Sequence, residues 1–229
     1  MPDFDWRTTQ GQPLERRFPD DAIGRREWQQ LVEDVEGLGP AAAPERYQEM
    51  LERFLGRLRG SALVRQMRRP PQCRVFVSHR MVDVAVAEQI AWLAHAQGLG
   101  YWLDVHDPQL RQANASPLPS PAQEILIAGI IEMGLLNATH VIAAMTINAA
   151  GSKWIPYEYG RAKDATLHSA QAAIWLEAGV RLSDCGEYVR LGAITHTGAD
   201  ITGWLRAHRG CIPPWSPWRG QGPPRMTIP

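Results

Sequence analysis

The chain of 229 residues is long enough to bury one substantial core and to carry a smaller accessory segment. Its 24 Lys and Arg balance 24 Asp and Glu, so no net field gathers nucleic acid or an anionic membrane surface, and any anionic ligand has to be held by a local cation. The expected partner is a small molecule or a protein, with no nucleic acid bound directly.

The first residues carry Asp3 and Asp5 and lack both a basic start and an apolar run, and no later stretch is apolar for long enough to cross a bilayer. A cytoplasmic protein with no membrane association is expected. Residues 1 to about 40 are polar, with one short helical pattern through Trp28, Leu31, Val32 and Val35, and read as only partly ordered. Pro44 then suits a first helical turn, and Tyr47, Met50, Leu51, Phe54, Leu55 and Leu58 follow at helical spacing. This amphipathic helix needs a partner for its stripe, either the rest of the chain or a second copy of it. Arg68-Arg69-Pro70-Pro71 reads as a linker closing an N-terminal helical extension over residues 1–72.

From Cys73 the periodicity changes. Arg74-Val75-Phe76-Val77-Ser78 is a short apolar run ending on a small polar residue, the pattern of a buried parallel strand. Val84, Ala87, Ile90, Ala91 and Ala94 make a helix stopped by Gly98, and Tyr101-Trp102-Leu103-Asp104 is a second strand ending on a carboxylate. A Pro- and Asn-rich loop is expected from Val105 to about Pro121, long enough to suggest a functional or moving element. The next helix opens at Pro121 and carries Ile125, Leu126, Ile130 and Ile131 to Leu135; His140 to Met145 is a third strand. A helix from Trp154 to about Thr166, a strand over Ala172 to Leu176, a weaker strand near Leu191 to Thr195 and a helix around Ile201 to Ala207 complete the alternation. Alternating strands and helices with short links predict a doubly wound parallel α/β sheet over residues 73–209. The Pro- and Trp-rich residues 210–229 read as a tail lying on the surface.

Four segments in this order carry a resemblance. Val75-Phe76-Val77-Ser78-His79-Arg80, Trp102-Leu103-Asp104, Gly129-Ile130 leading to Val141-Ile142-Ala143, and Ser152-Lys153-Trp154-Ile155-Pro156-Tyr157-Glu158 together resemble a bacterial TIR (Toll/interleukin-1 receptor) domain. The resemblance covers roughly Cys73 to Arg209. It implies a flavodoxin-like sheet of strand order 2-1-3-4-5, self-association through the domain and, in catalytic members, cleavage of NAD as substrate at the nicotinamide glycosidic bond, a role in antiphage immunity. On that resemblance Glu158 is the catalytic carboxylate and Trp154, His79 and Arg80 belong to the substrate-binding pocket; Ser78 and Asp104, which end strands at the same edge of the sheet, are read as substrate-binding with them. No cofactor beyond the substrate is implied. The loop after Asp104 departs from the family, which commonly places a Gly there, and reads Pro108-Gln109-Leu110 with Pro117 and Pro119.

The residue types suit this chemistry. Nicotinamide leaves NAD as a neutral molecule, so no acid is required to protonate it, and one carboxylate can stabilise the oxocarbenium character at the ribose. Arg80 is suited to pair with the pyrophosphate, and Trp154 or His79 to offer a flat face to a ring. Each residue also has a plainer reading: Glu158 as a solvated partner of Arg161 or Lys163, Trp154 as a core or cap aromatic, Asp104 as a cap, and Arg80 as an exposed helix-start residue. No glycine fingerprint or phosphate loop follows the first strand, and the remaining histidines show no metal-ligand spacing. Cys73, Cys185 and Cys211, few and widely separated, read as ordinary thiols. A non-catalytic scaffold for homotypic protein interaction is the alternative function, and a catalytic Glu at position 158 favours the enzyme.

Overall fold

The computed structural model describes residues 24–66, 73–149, 151–162 and 171–208. Among the described residues, helices and strands follow one another as α1 (Arg25–Leu38), α2 (Pro44–Gln66), β1 (Arg74–Ser78), α3 (Val84–Ala96), β2 (Gly100–Trp102), α4 (Pro108–Ala115), α5 (Ser120–Asn137), β3 (His140–Met145), α6 (Trp154–Ala162), β4 (Gln171–Leu176), β5 (Ala193–Thr195) and α7 (Gly198–Ala207). The five strands are parallel and ordered β2-β1-β3-β4-β5, the expected flavodoxin-like arrangement. Every residue of β3 is buried, because helices cover both of its faces and an apolar run is stable there without alternation.

The pleat divides the core. Val75, Val77, Ile142 and Ala144 face α3 and α7, whereas Phe76 and Val141 pack with α5, and Ala143 and Met145 with α6. Ser78 shares the parity of Phe76. The strand therefore delivers the Ser78 side chain to the face covered by α5 and α6, at the carboxyl end of the sheet.

The N-terminal helices belong to the same core. Trp28, Leu31 and Val35 of α1 and Tyr47, Met50, Phe54 and Leu58 of α2 are buried in one cluster with Leu126, Ile130 and Met133 of α5. A Cβ on Gly129 of α5 would lie 2.9 Å from Leu31 and 3.4 Å from Phe54, so the glycine is what lets the two helices close on α5. The stripe on α2 is thus occupied by its own chain, and α1 is a formed helix where only partial order was expected.

Other departures are local. The segment expected as an irregular loop contains α4, whose N-cap Asp107 accepts from the Gln109 and Leu110 N–H groups at 2.8 and 3.2 Å while Pro108 supplies the first helical position. Strand β2 stops at Trp102, and Asp104 begins a short 3-10 turn to His106. Strand β5 starts at Ala193 because Glu187–Leu191 forms another such turn. Helix α6 is described to Ala162; the extension towards Thr166 and the tail at 210–229 lie outside the described residues. Cys73 is disulfide-bonded, against its reading as an ordinary thiol, whereas Cys185 is a free, buried one. No helix among the described residues is long and apolar enough to cross a membrane.

Candidate functional site

Ser152 Oγ accepts from the Ile155 N–H at 3.2 Å and so satisfies a donor in the first turn of α6. From this start the helix runs Trp154 to Ala162, and Trp154 and Glu158, four residues apart, share one side of it. Glu158 is directed inward and buried, and Ser78 donates its hydroxyl hydrogen to Glu158 Oε2. The plainer reading of Glu158 as a solvated partner of Arg161 fails on two counts: Glu158 is buried, and Arg161 is bonded elsewhere. Lys163, the other partner considered, lies outside the described residues.

Burial pushes the Glu158 carboxyl from 4.5 up to about 7; the Ser78 hydrogen bond pulls the other way, and the negative charge of Asp104 adds to the rise. Burial wins because one hydroxyl replaces the hydration shell of a carboxylate. Near neutrality the group is divided between its charged and neutral forms.

His79 places Nδ1 3.3 Å from the Val77 carbonyl oxygen. A carbonyl only accepts, so in this contact Nδ1 is the donor. Nε2 lies 3.3 Å from Asp104 Oδ1, within reach of an ion pair but not aligned as a hydrogen bond. Asp104 Oδ1 also accepts from the Val105 N–H at 2.6 Å, so Asp104 holds the turn after β2 and also turns charge towards His79 and Glu158. The reading of Asp104 as a residue that holds the loop applies.

Arg80 is exposed, and its Nη1 donates to the Asn148 carbonyl oxygen at 2.6 Å. It stands on the rim, tying the segment after β1 to the segment after β3, and does not touch Glu158. Trp154 is 42% exposed and meets Tyr157 edge to face at 5.7 Å. It is therefore neither a core aromatic nor a fully formed wall, but a ring open to solvent one turn before Glu158.

Several residues that support this arrangement were not singled out from the sequence. Asp83, buried at the start of α3, accepts from Thr146 Oγ1 and Asn148 Nδ2, each at 2.7 Å. Glu132 of α5, also buried, accepts from Arg161 Nε at 2.9 Å and Nη2 at 2.5 Å, and from the Tyr157 hydroxyl. This clamp fixes α6, and with it Glu158, against α5. A charge inside the apolar run Ile130-Ile131-Glu132-Met133 was the available signal. Asp107 binds the Trp102 indole N–H at 2.9 Å, and Trp102 stacks on Phe76 with ring centres 4.6 Å apart, which anchors the segment after β2.

Among the described residues no cluster of His, Cys, Asp or Glu is arranged to hold a metal ion. His140, at the other end of β3, is held neutral, its pKa lowered by burial to about 4 while Nε2 approaches the His208 carbonyl oxygen at 3.2 Å. Comparisons with family models, curated proteins and solved structures return no match for this chain.

Proposed function

We propose that the protein is a TIR-type NAD nucleosidase that breaks the bond between nicotinamide and ribose. The observation that carries the reading is the buried Glu158, bonded to Ser78 at the carboxyl end of β1, with the open ring of Trp154 one turn away. Ligands of open α/β sheets bind beyond the carboxyl ends of the strands, where Ser78, His79, Asp104 and the segment after β3 all lie.

In this reading the glycosidic C–N bond breaks with its electron pair going to the pyridinium nitrogen, so nicotinamide departs neutral and positive charge grows on the ribose. The Glu158 carboxylate faces that charge and accepts hydrogen bonds from the ribose hydroxyls. Ser78 orients the carboxylate before substrate arrives. Water adding to the cationic carbon and releasing a proton yields ADP-ribose, whereas attack by an adenine nitrogen yields a cyclic isomer. NAD is the substrate and no resident cofactor is required by the scheme; a role in antiphage immunity follows from the same resemblance.

The test is incubation of the full chain with NAD and chromatographic identification of products. Release of nicotinamide by the parent protein and its loss in a folded Glu158→Gln variant are expected. Equal turnover by both, or none by the parent across a broad range of protein concentrations, overturns the reading.

A further inference from the structure

Asp83 is a buried carboxylate that the chemistry at Glu158 leaves unused. It ends the short turn after β1, and a carboxylate there is costly to desolvate unless its oxygens are bonded. Both are: Oδ2 accepts from the Thr146 hydroxyl and Oδ1 from Asn148 Nδ2, each at 2.7 Å. The Thr146 hydroxyl oxygen in turn accepts from the Asn148 N–H at 3.1 Å, so the segment after β3 is closed on the carboxylate at two points. From the other neighbouring strand the same segment is held by Glu177, whose Oε2 accepts from the Ile147 N–H at 2.9 Å.

Hydrogen bonds run on from this segment into α6. The Ala149 N–H donates to the Thr146 carbonyl at 3.0 Å, the Ser152 N–H to the Ala149 carbonyl at 3.1 Å, and the Ile155 N–H to Ser152 Oγ at 3.2 Å. Glu158 follows Ile155 by three residues on the same helix. The later part of α6 has a separate hold, the bonds from Tyr157 and Arg161 to Glu132.

We propose that Asp83 is a positioning residue for Glu158: by closing the segment after β3 it fixes the first turn of α6, and through that turn the depth at which the Glu158 side chain is held. The inference rests on the nucleosidase reading for its bearing on catalysis, while the placement itself stands on the hydrogen bonds. Losing the bonds at Asp83 frees the first turn while Glu132 keeps the rest of the helix on α5. Water then reaches the Glu158 carboxyl and relieves the burial that pushes it up to about 7. The other groups around it keep their places: Ser78 on β1, Asp104 on the Val105 N–H, Glu132 under Arg161, and Tyr188 against Tyr159.

The test follows the Glu158 titration by carbon NMR in the full chain labelled at its glutamate carboxyls, with Glu158→Gln identifying the resonance. Asp83→Ala, and Thr146→Val, which removes one donor at nearly constant shape, are each expected to lower the midpoint by about one pH unit. Thr146→Ser keeps the hydroxyl and is expected to titrate as the parent does. Phe54→Ala, weakened in the N-terminal helices far along the chain from this turn, is expected to keep the parent midpoint, which separates placement from a general loss of stability. Thr146→Val decides the question if Asp83→Ala does not fold. An unchanged midpoint in a folded variant of either kind overturns the proposal, as does a shift of equal size in Phe54→Ala or Thr146→Ser. A parent that already titrates near 4.5 overturns it too, since no burial is then left to relieve. Midpoints shifted as expected in a protein that releases no nicotinamide from NAD leave the placement standing and remove the nucleosidase reading.

Discussion

Ser78 and Asp104 act on Glu158 in opposite directions, which makes their variants informative. Removing the Ser78 hydroxyl takes away the bond that favours the carboxylate, and removing the Asp104 charge takes away a repulsion that opposes it. If the carboxylate is the active form, kcat/KM rises with pH through about 7 in the parent. The rising limb is expected to move to higher pH in Ser78→Ala and to lower pH in Asp104→Asn; shifts in the same direction argue against Glu158 as the titrating group. Ribose hydroxyls bonded to the carboxylate favour its charged form further, so the limb in kcat is expected at lower pH than the limb in kcat/KM. Stability follows the same group with the opposite preference. The folded chain holds the Glu158 proton more tightly than the unfolded chain, so this contribution is complete below about 4.5 and is lost as pH rises through about 7. At pH 8 the Glu158→Gln variant is expected to be more stable than the parent, by on the order of 3 kcal/mol, with the difference vanishing near pH 4 in denaturant titrations.

A buried carboxylate on α5 clamps α6 to its neighbour. Glu132 receives two bonds from Arg161 and one from Tyr157, and burial together with the Glu132 contact pushes the Tyr157 phenol up to about 12. Glu132→Ala leaves the Arg161 guanidinium and the Tyr157 hydroxyl without that acceptor, and a loss of about 3 kcal/mol is expected in chemical denaturation. The double variant Glu132→Leu with Arg161→Met removes both charges and is expected to recover most of that loss. A double variant as unstable as the single one would show that the clamp is not an ion pair in isolation but part of a wider network. None of these partnerships was legible in the sequence, because Glu132 and Arg161 stand 29 residues apart, and Asp83 and Thr146 stand 63 apart. Strands β1 and β3 could be read readily, since a run buried on both faces is apolar at every position. The candidate site was legible only in part: the resemblance carried by Ser152 to Glu158 pointed to Glu158, which is buried, but not to Ser78 as its hydrogen-bond partner. The segment after Asp104 was read as irregular from its Pro and Asn content, although Asp107-Pro108 is itself a helix-start signal.

At the scale of the whole molecule, the N-terminal helices decide whether α5 is a buried helix or an exposed one. Seven large apolar side chains of α1 and α2, Trp28, Leu31, Val35, Tyr47, Met50, Phe54 and Leu58, are buried in the cluster that includes Leu126, Ile130 and Met133 of α5. Each buried side chain of this size contributes roughly 1.5–3 kcal/mol, so the interface is comparable to the entire net stability of an ordinary domain. The helices are therefore a wall of the core, and an assembly of copies has to use a surface other than the α2 stripe. Deleting residues 1–70 is expected to give a chain that is insoluble or molten, because it exposes the face of α5 on which Gly129 receives Leu31 and Phe54. A milder variant keeps the question answerable in solution. Phe54→Ala leaves a cavity in this interface and is expected to lower stability by about 3–5 kcal/mol without altering the dependence of activity on protein concentration. A soluble, cooperatively folding protein lacking residues 1–70, with a melting temperature near that of the parent, would show that residues 73–208 close their core without the helices, and that α1 and α2 are an appendage after all.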